Sequence, residues 1–241
     1  MKFLAAVCSA KGIRDINEDS FIMGEKINQF AKSYSEEQYE GNDSCINFLA
    51  IADGMGGQGS GEKASYLVVH KLKEISSKFT ELNEEILNKE ITEIHNEIIL
   101  ENSKMGSTLT GIIFQKGNKC IINLGDSRTY RLRHDMFLKM TNDDSLQRYD
   151  STAASNVITN GIGGGLKNIS VNCRFSDKLI IPGDKFLMCS DGIHNFVSDT
   201  KIEELLSQNL PVNEISTKII QTAITNGSDD NCTVLVVKFE E

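Results

Sequence analysis

Phe48-Leu49-Ala50-Ile51-Ala52-Asp53-Gly54 is an apolar run that ends on an aspartate and a glycine, and the pattern returns along the chain. Ile121-Ile122-Asn123-Leu124 leads into Gly125-Asp126-Ser127, and Phe186-Leu187-Met188-Cys189-Ser190 into Asp191-Gly192. Asp229-Asp230-Asn231 stands just before the apolar run at 233–239. Short runs rich in Ile, Val, Leu and Phe, bounded by Gly, Asp or Asn, read as buried strands. Residues 47–52, 110–114, 120–124, 178–181, 186–189 and 233–239 fit that description, and residues 3–7 supply a first strand. Each aspartate therefore stands where a strand ends, beside a small or flexible residue that leaves the backbone accessible. Asp and Gly are common turn residues, which accounts for one such placement more readily than for four.

Helices are expected between and after these strands. Ala64, Leu67, Val68, Leu72, Ile75 and Phe79 recur at helical spacing, as do Leu82, Ile86, Ile91, Ile94 and Ile98. Ser198-Asp199-Thr200 offers a cap for a helix over 201–208, and Val212, Ile215, Ile219 and Ala223 line a last helix that Gly227 can end. The apolar stripes on these helices read as core faces. The polar stretch 26–42 reads as a hairpin loop. Strand pairs joined by short turns favour antiparallel sheet and an α+β architecture.

Composition excludes several functions. The 241 residues carry 34 acidic against 25 basic side chains, a net charge of -9 with no basic block, which argues against a nucleic-acid partner. At 39% hydrophobic and 24% charged the chain has the balance of a folded globular protein. No apolar run approaches the roughly 20 residues that span a bilayer, and residues 3–7 are too short for a secretory leader, so no membrane partner and a cytoplasmic location are expected. Cys8, Cys45, Cys120, Cys173, Cys189 and Cys232 are dispersed, without a disulfide framework. His70, His95, His134 and His194 are equally scattered and give no zinc pattern, so a metal would be held by oxygen.

Carboxylates gathered at one rim repel one another and lose hydration, so they need protons, basic partners or a divalent cation. Oxygen ligands alone select Mg²⁺ or Mn²⁺, and a carboxylate shared by two such ions makes a binuclear centre that can activate a water and clamp a phosphoryl group. Arg14, in Gly12-Ile13-Arg14-Asp15-Ile16-Asn17-Glu18-Asp19-Ser20, fits this chemistry, because a guanidinium can fork onto phosphate oxygens. Taken alone, Arg14 reads sooner as a surface arginine paired with a neighbouring acid.

Six stretches in order carry a resemblance. They are Gly12-x-x-Arg14-x-x-Asn17-Glu18-Asp19-Ser20; Ala52-Asp53-Gly54-Met55-Gly56-Gly57 with Gly61-Glu62-x-Ala64-Ser65; Gly106-Ser107-Thr108; Asn123-x-Gly125-Asp126-Ser127-Arg128-x-Tyr130; Ser190-Asp191-Gly192; and Gly227-Ser228-Asp229-Asp230-Asn231-x-Thr233. With them the sequence resembles the metal-dependent protein phosphatases of type 2C in their compact bacterial form, over about residues 5 to 239. The resemblance implies an α/β/β/α sandwich of two antiparallel sheets flanked by helices, formed by 1–241 as a single phosphatase domain with a binuclear metal centre at one end. It implies two Mn²⁺ or Mg²⁺ ions. Asp53, Asp191 and Asp230 would ligate the first, and Asp53 would bridge to a second that also takes the Gly54 carbonyl. Glu18 and Asp19 would act through metal-bound waters, Asp126 would serve a weaker third site, and Arg14 would hold the substrate phosphate. The bridging hydroxide would attack phosphoserine or phosphothreonine directly. Phosphorylated proteins would be the substrates, a cognate serine/threonine kinase the opposing partner, and a monomer the working state.

The chain also departs from the family. Gln58 stands where a histidine is usual, Met55 where eukaryotic relatives place a candidate general acid, and Asn195 where the third site takes an aspartate. The flap, at about 145–160, is more than ten residues short, and Asn160 replaces an arginine at its border. These changes keep a second class of function in view, a non-catalytic relative that binds phosphoproteins. Cys8-Ser9-Ala10-Lys11-Gly12-Ile13-Arg14 has the spacing of a cysteine-dependent phosphatase, but Asp15 would repel the phosphate and raise the thiol pKa. Gly56-x-x-x-x-Gly61 spaces like a nucleotide loop, yet Glu62 stands where a lysine is needed, and it reads as a turn.

Overall fold

Alternation along β1 (Lys2–Ala10) shows how the layers are built. Phe3, Ala5 and Val7 point into one buried cluster, and Ala6, Cys8 and Ala10 into another. A strand sends successive side chains to opposite faces, so a strand apolar on both faces must lie between two layers. The computed structural model describes residues 1–28, 30, 32–56, 60–81, 83–146, 157–176 and 179–241. Within them follow β2 (Asp19–Met23), β3 (Lys26–Ile27), β4 (Tyr34–Asn42), β5 (Asn47–Met55), α1 (Gly61–Lys78), α2 (Glu84–Glu101), β6 (Gly106–Ser107), β7 (Leu109–Gln115) and β8 (Asn118–Leu124). Next come β9 (Arg128–Arg133), β10 (Met136–Lys139), β11 (Ile162–Gly163), β12 (Asn172–Ser176), β13 (Lys185–Cys189), α3 (Asp191–His194), α4 (Asp199–Ser207), α5 (Val212–Thr225) and β14 (Cys232–Glu240).

The strands form two antiparallel sheets. One has the order β10-β9-β13-β14-β1-β4; the other runs β11-β6-β5-β7-β8-β12, with β2 on β5 and β3 on β2. Leu49, Ile51, Ile112 and Phe114 of one sheet meet Phe3, Phe186, Leu235 and Phe239 of the other in a shared core. Phe114 stands edge-on to Phe3 at 5.1 Å and to Phe239 at 5.0 Å, the tilted geometry that ring quadrupoles favour. Helices α1 and α2 cover the outer face of the second sheet through Val68, Leu72, Ile91 and Ile94. Helices α4 and α5 cover the first through Ile202, Leu206, Ile215 and Ile219. The expected α/β/β/α sandwich is the fold observed.

Local signals worked where a cap or a stripe was present. The Ser198 side chain accepts from the Lys201 backbone N–H as expected, and Asn83 caps α2 by accepting from Glu85 and Ile86. Leu82, expected to open that helix, lies outside the described residues. Two expectations are corrected. Residues 34–42, expected in a loop, form the nine-residue edge strand β4 paired along all of β1. Its alternating exposed residues include Glu36 and Glu40, charges of the kind that keep sheet edges from pairing further. Residues 179–181, expected as a strand, are irregular: Ile180 donates to Gly117 and Ile181 enters a turn closed by Asp184, while Lys178 lies outside the described residues. The strand beside β8 is instead β12.

Candidate active site

The pleat brings the acids together. β2 and β5 are in register so that Asp19 lies opposite Asp53 at the rim of one sheet. β13 and β14 run antiparallel in the other, so the end of β13 and the start of β14 put Asp191 and Asp230 at the same end of the sandwich. The turn from β8 to β9 crosses between the sheets and carries Asp126. Arg14, Glu18, Asp53, Gly54, Asp126, Asp191 and Asp230 line one pocket of about 140 Å³. Of the residues expected in the site, Asp19 is the one that does not line the pocket; it lies 3% exposed behind it. Gly54 is required by crowding, since a Cβ there would collide with the carbonyl of Gly61 and lie 2.7 Å from that of Glu18.

Burial and neighbouring charge raise the proton affinity of Glu18, Asp19, Asp53, Asp126 and Asp191. Burial, with the charges of Asp19 and Asp191 next, holds Asp53 well above the usual carboxylate range. Burial pushes Asp19 up to about 7, Asp126 up to about 7 with help from Asp191, and Asp191 up to about 6 with help from Asp230. Glu18 is raised by burial and by the charge of Glu62. Asp19 Oδ2 accepts from Ser190 Oγ at 2.9 Å, whereas Asp19 Oδ1 is buried and meets no hydrogen-bond donor among the described residues. A buried, unsatisfied carboxyl oxygen behind a pocket lined by five further carboxylates suits a divalent cation in its donor chemistry. Among the described residues no three His, Cys, Asp or Glu side chains already close into a metal cage. The acids other than Asp19 line one pocket.

A frame of neutral groups fixes the acids. The Asn231 side chain accepts from the Glu18 backbone N–H at 2.8 Å and donates to the carbonyls of Lys11 and Ile16 at 2.9 Å each. Thr108 Oγ1 accepts from the Asp53 backbone N–H at 3.0 Å and meets Ser127 Oγ at 2.9 Å. His194 on α3 reaches the Asp126 carbonyl at 3.1 Å. Asn231, Thr108 and Ser190 stand inside the sequence motifs, but their positioning roles became visible only with the fold. Arg14 donates through Nε to the Asp229 carbonyl at 2.9 Å and through Nη2 to Asp230 Oδ2 at 2.7 Å, with half of its side chain exposed at the pocket mouth. Asn195 sits one turn after Asp191 and donates to its Oδ2 at 3.5 Å. Asn160 donates to Asp144 Oδ2 at 2.8 Å and exchanges two bonds with the Ser170 backbone. Gln58 and residues 147–156 of the expected flap lie outside the described residues. Cys8 is 1% exposed and packs in the cluster beneath α5, where burial raises its pKa. That setting does not suit a nucleophile.

A family model described as protein phosphatase 2C matches residues 36–226. The chain belongs to the protein phosphatase 2C family. Among its relatives, the serine/threonine phosphatase Stp of Listeria welshimeri is 32% identical over 210 residues, 79% of this chain and 83% of its own. Among solved structures, the catalytic domain of the serine/threonine protein phosphatase PstP in complex with two manganese ions is 27% identical, covers both chains in full and gives a TM-score of 0.75. PppA, a regulatory component of the type VI secretion system of Pseudomonas aeruginosa, is 25% identical over 98% of this chain and 97% of its own, with a TM-score of 0.79. As a 2C-type protein phosphatase the chain is an enzyme, and its sandwich is the fold of these relatives. No helix among the described residues is long and apolar enough to cross a membrane.

Proposed function

We propose that the protein hydrolyses phosphoserine and phosphothreonine in other proteins at the rim pocket, with Mn²⁺ or Mg²⁺ as cofactor. The observation that carries this reading is the convergence of Asp53, Asp126, Asp191 and Asp230, from four separate segments, on one pocket with Arg14 at its mouth. Asp53, Asp191, Asp230 and the Gly54 carbonyl would hold two ions, Glu18 and Asp19 would act through intervening waters, and Asp126 would serve a weaker third site. Bound there, the ions would supply a nucleophilic water of lowered pKa and positive charge against the phosphoryl oxygens. The chain supplies the rest. Arg14 is held at the mouth by Asp229 and Asp230 and offers its remaining N–H groups to the substrate phosphate. Ser190 and Thr108 keep Asp19 and Asp53 in place. Met55 lines the pocket and cannot carry a proton, so the leaving alkoxide takes its proton from solvent. The same reading has 1–241 act as a single domain and as a cytoplasmic monomer, opposing a serine/threonine kinase.

Hydrolysis of a phosphothreonine peptide tests it. Activity is expected to vanish on chelation, to return with Mn²⁺ and to be lost in Asp191→Ala. Turnover that survives chelation and dies in Cys8→Ser would overturn the reading. Binding of the peptide without turnover at saturating Mn²⁺ would reduce the protein to a phosphoprotein-binding relative.

A further inference from the structure

Ile13 is 78% exposed on the loop after β1, and Ile224 is 49% exposed on α5. They stand on opposite sides of an open groove of about 460 Å³, between the loop after β1 and the C-terminal end of α5. Lys11, Gly12 and Ile13 form one wall, and Ile224, Gly227 and Ser228 the other. A Cβ on Gly227 would meet nothing within 4 Å, so its backbone lies open to the groove. Among the described residues no carboxylate lines it, and the Lys11 ammonium is directed onto the Arg14 carbonyl at 3.0 Å. The groove is thus the chemical opposite of the acid pocket, yet the two lie on adjoining stretches of the chain. Arg14 follows Ile13, and Asp229 and Asp230 follow Ser228. Arg14 ties the two segments together through its bonds to Asp229 and Asp230. Gly12, at a φ of +60°, lets the loop lie so close that a Cβ there would sit 2.5 Å from the Asp230 carbonyl oxygen.

We infer that this groove docks an apolar side chain of the substrate protein, one that flanks the phosphorylated residue; the inference rests on the phosphatase reading above. An extended peptide advances about 3.3–3.6 Å per residue. A phosphate held by Arg14 therefore brings residues a few positions away over Ile13 and Ile224. Exposed isoleucines gain by being covered, and an aliphatic flanking residue covers them, while a charged one would lose hydration against an apolar wall. The groove touches none of the acids expected at the reacting phosphorus, so its contribution falls on substrate binding and hence on KM.

The test is a panel of phosphothreonine peptides carrying Leu in turn at each of the three positions before and after the phosphothreonine, measured against a Ser-only peptide with Mn²⁺ present. At one or more positions Leu is expected to raise kcat/KM about tenfold through a lower KM. Ile224→Asp is expected to bring that ratio to about one, and Ile13→Asp, at the more exposed position, to do the same independently. Equal kcat/KM across the panel, or a Leu preference that survives both substitutions, would overturn the inference. So would a dimer in solution that Ile224→Asp dissociates, since it would assign the groove to a second copy of the chain. Metal-dependent turnover of the Ser-only peptide separates the two levels. If it occurs without a Leu preference, the docking inference fails and the phosphatase reading stands.

Discussion

Asp19 and Asp53 lie directly opposite one another across the β2–β5 ladder, a buried acid facing a half-buried one in a pairing that like charges destabilise. Both carboxyls hold protons more tightly in the fold than in the open chain. For an acid whose folded pKa is raised, the stabilising contribution is complete below the unfolded value and is lost as pH rises through the folded one. Asp19 and Asp126, raised from 3.8 to about 7, therefore weaken the metal-free fold between about pH 4 and 7. His194, lowered to about 4 chiefly by burial, opposes this below its ordinary value of 6.5, as does His95. From pH 6.5 to 8 the histidines are at most half-protonated even in the unfolded chain, so the acids set the sign there. Thermal melting in chelator should give a lower Tm at pH 8 than at pH 6.5, and saturating Mn²⁺ should raise Tm more at pH 8. A Tm that climbs across that window in chelator would contradict the account.

Removing the charge of Asp53 should separate stability from activity. Asp53→Asn keeps the shape and deletes a carboxylate that Asp19, Asp191 and Asp126 all disfavour. The metal-free protein should gain about 1 kcal/mol, a Tm rise of about 2–4 °C for a chain of this size. Phosphopeptide turnover should fall at least about 100-fold. A variant that melts lower in chelator would show that Asp53 contributes more through hydrogen bonding than it costs through repulsion.

Arg14→Lys addresses the phosphate contact. The Arg14–Asp230 pair is half exposed, and pairs of that kind contribute about 0–1 kcal/mol, so Tm should move by only a few degrees. A lysine cannot hold Asp229 and Asp230 while also forking onto a phosphate. Steady-state kinetics should show kcat/KM for the phosphopeptide reduced about tenfold or more. Unchanged kinetics would remove Arg14 from the substrate site.

Asn195→Asp restores a carboxylate one turn after Asp191. The native amide donates to Asp191 and brings no charge. If a third ion limits the rate, the Mn²⁺ concentration giving half-maximal activity should fall several-fold in this variant. A superimposable titration would show that the third site does not limit turnover.

What was legible in the sequence followed burial. β5, β8, β13 and β14 are covered on both sides, so their apolar runs were continuous and the aspartates at their ends stood out. β4 was missed because it is an edge strand, whose alternation of Ser35, Glu37, Tyr39 and Gly41 with exposed polar residues looks like a loop. α3 is four residues long, too short to show a period. Residues 179–181 misled in the other direction. Ile180 is apolar because it plugs the core between the sheets, while Leu179 stays half exposed, and among the described residues neither has a strand partner. The acids of the site could be named from sequence, but the neutral frame could not. Asn231 joins Lys11, Ile16 and Glu18 across more than 200 positions of sequence, a relation that spacing does not encode.

The two halves of the acid pocket ride on different sheets. Asp19 and Asp53 belong to the β2–β5 side, Asp191 and Asp230 to the β13–β14 side. An ion gripped by both would act as a rivet through the seam of the sandwich, fastening mechanically what it also serves chemically. Loading and unloading it would then set how firmly the two slabs are clasped at this end. The protein's rigidity would follow the supply of divalent metal around it.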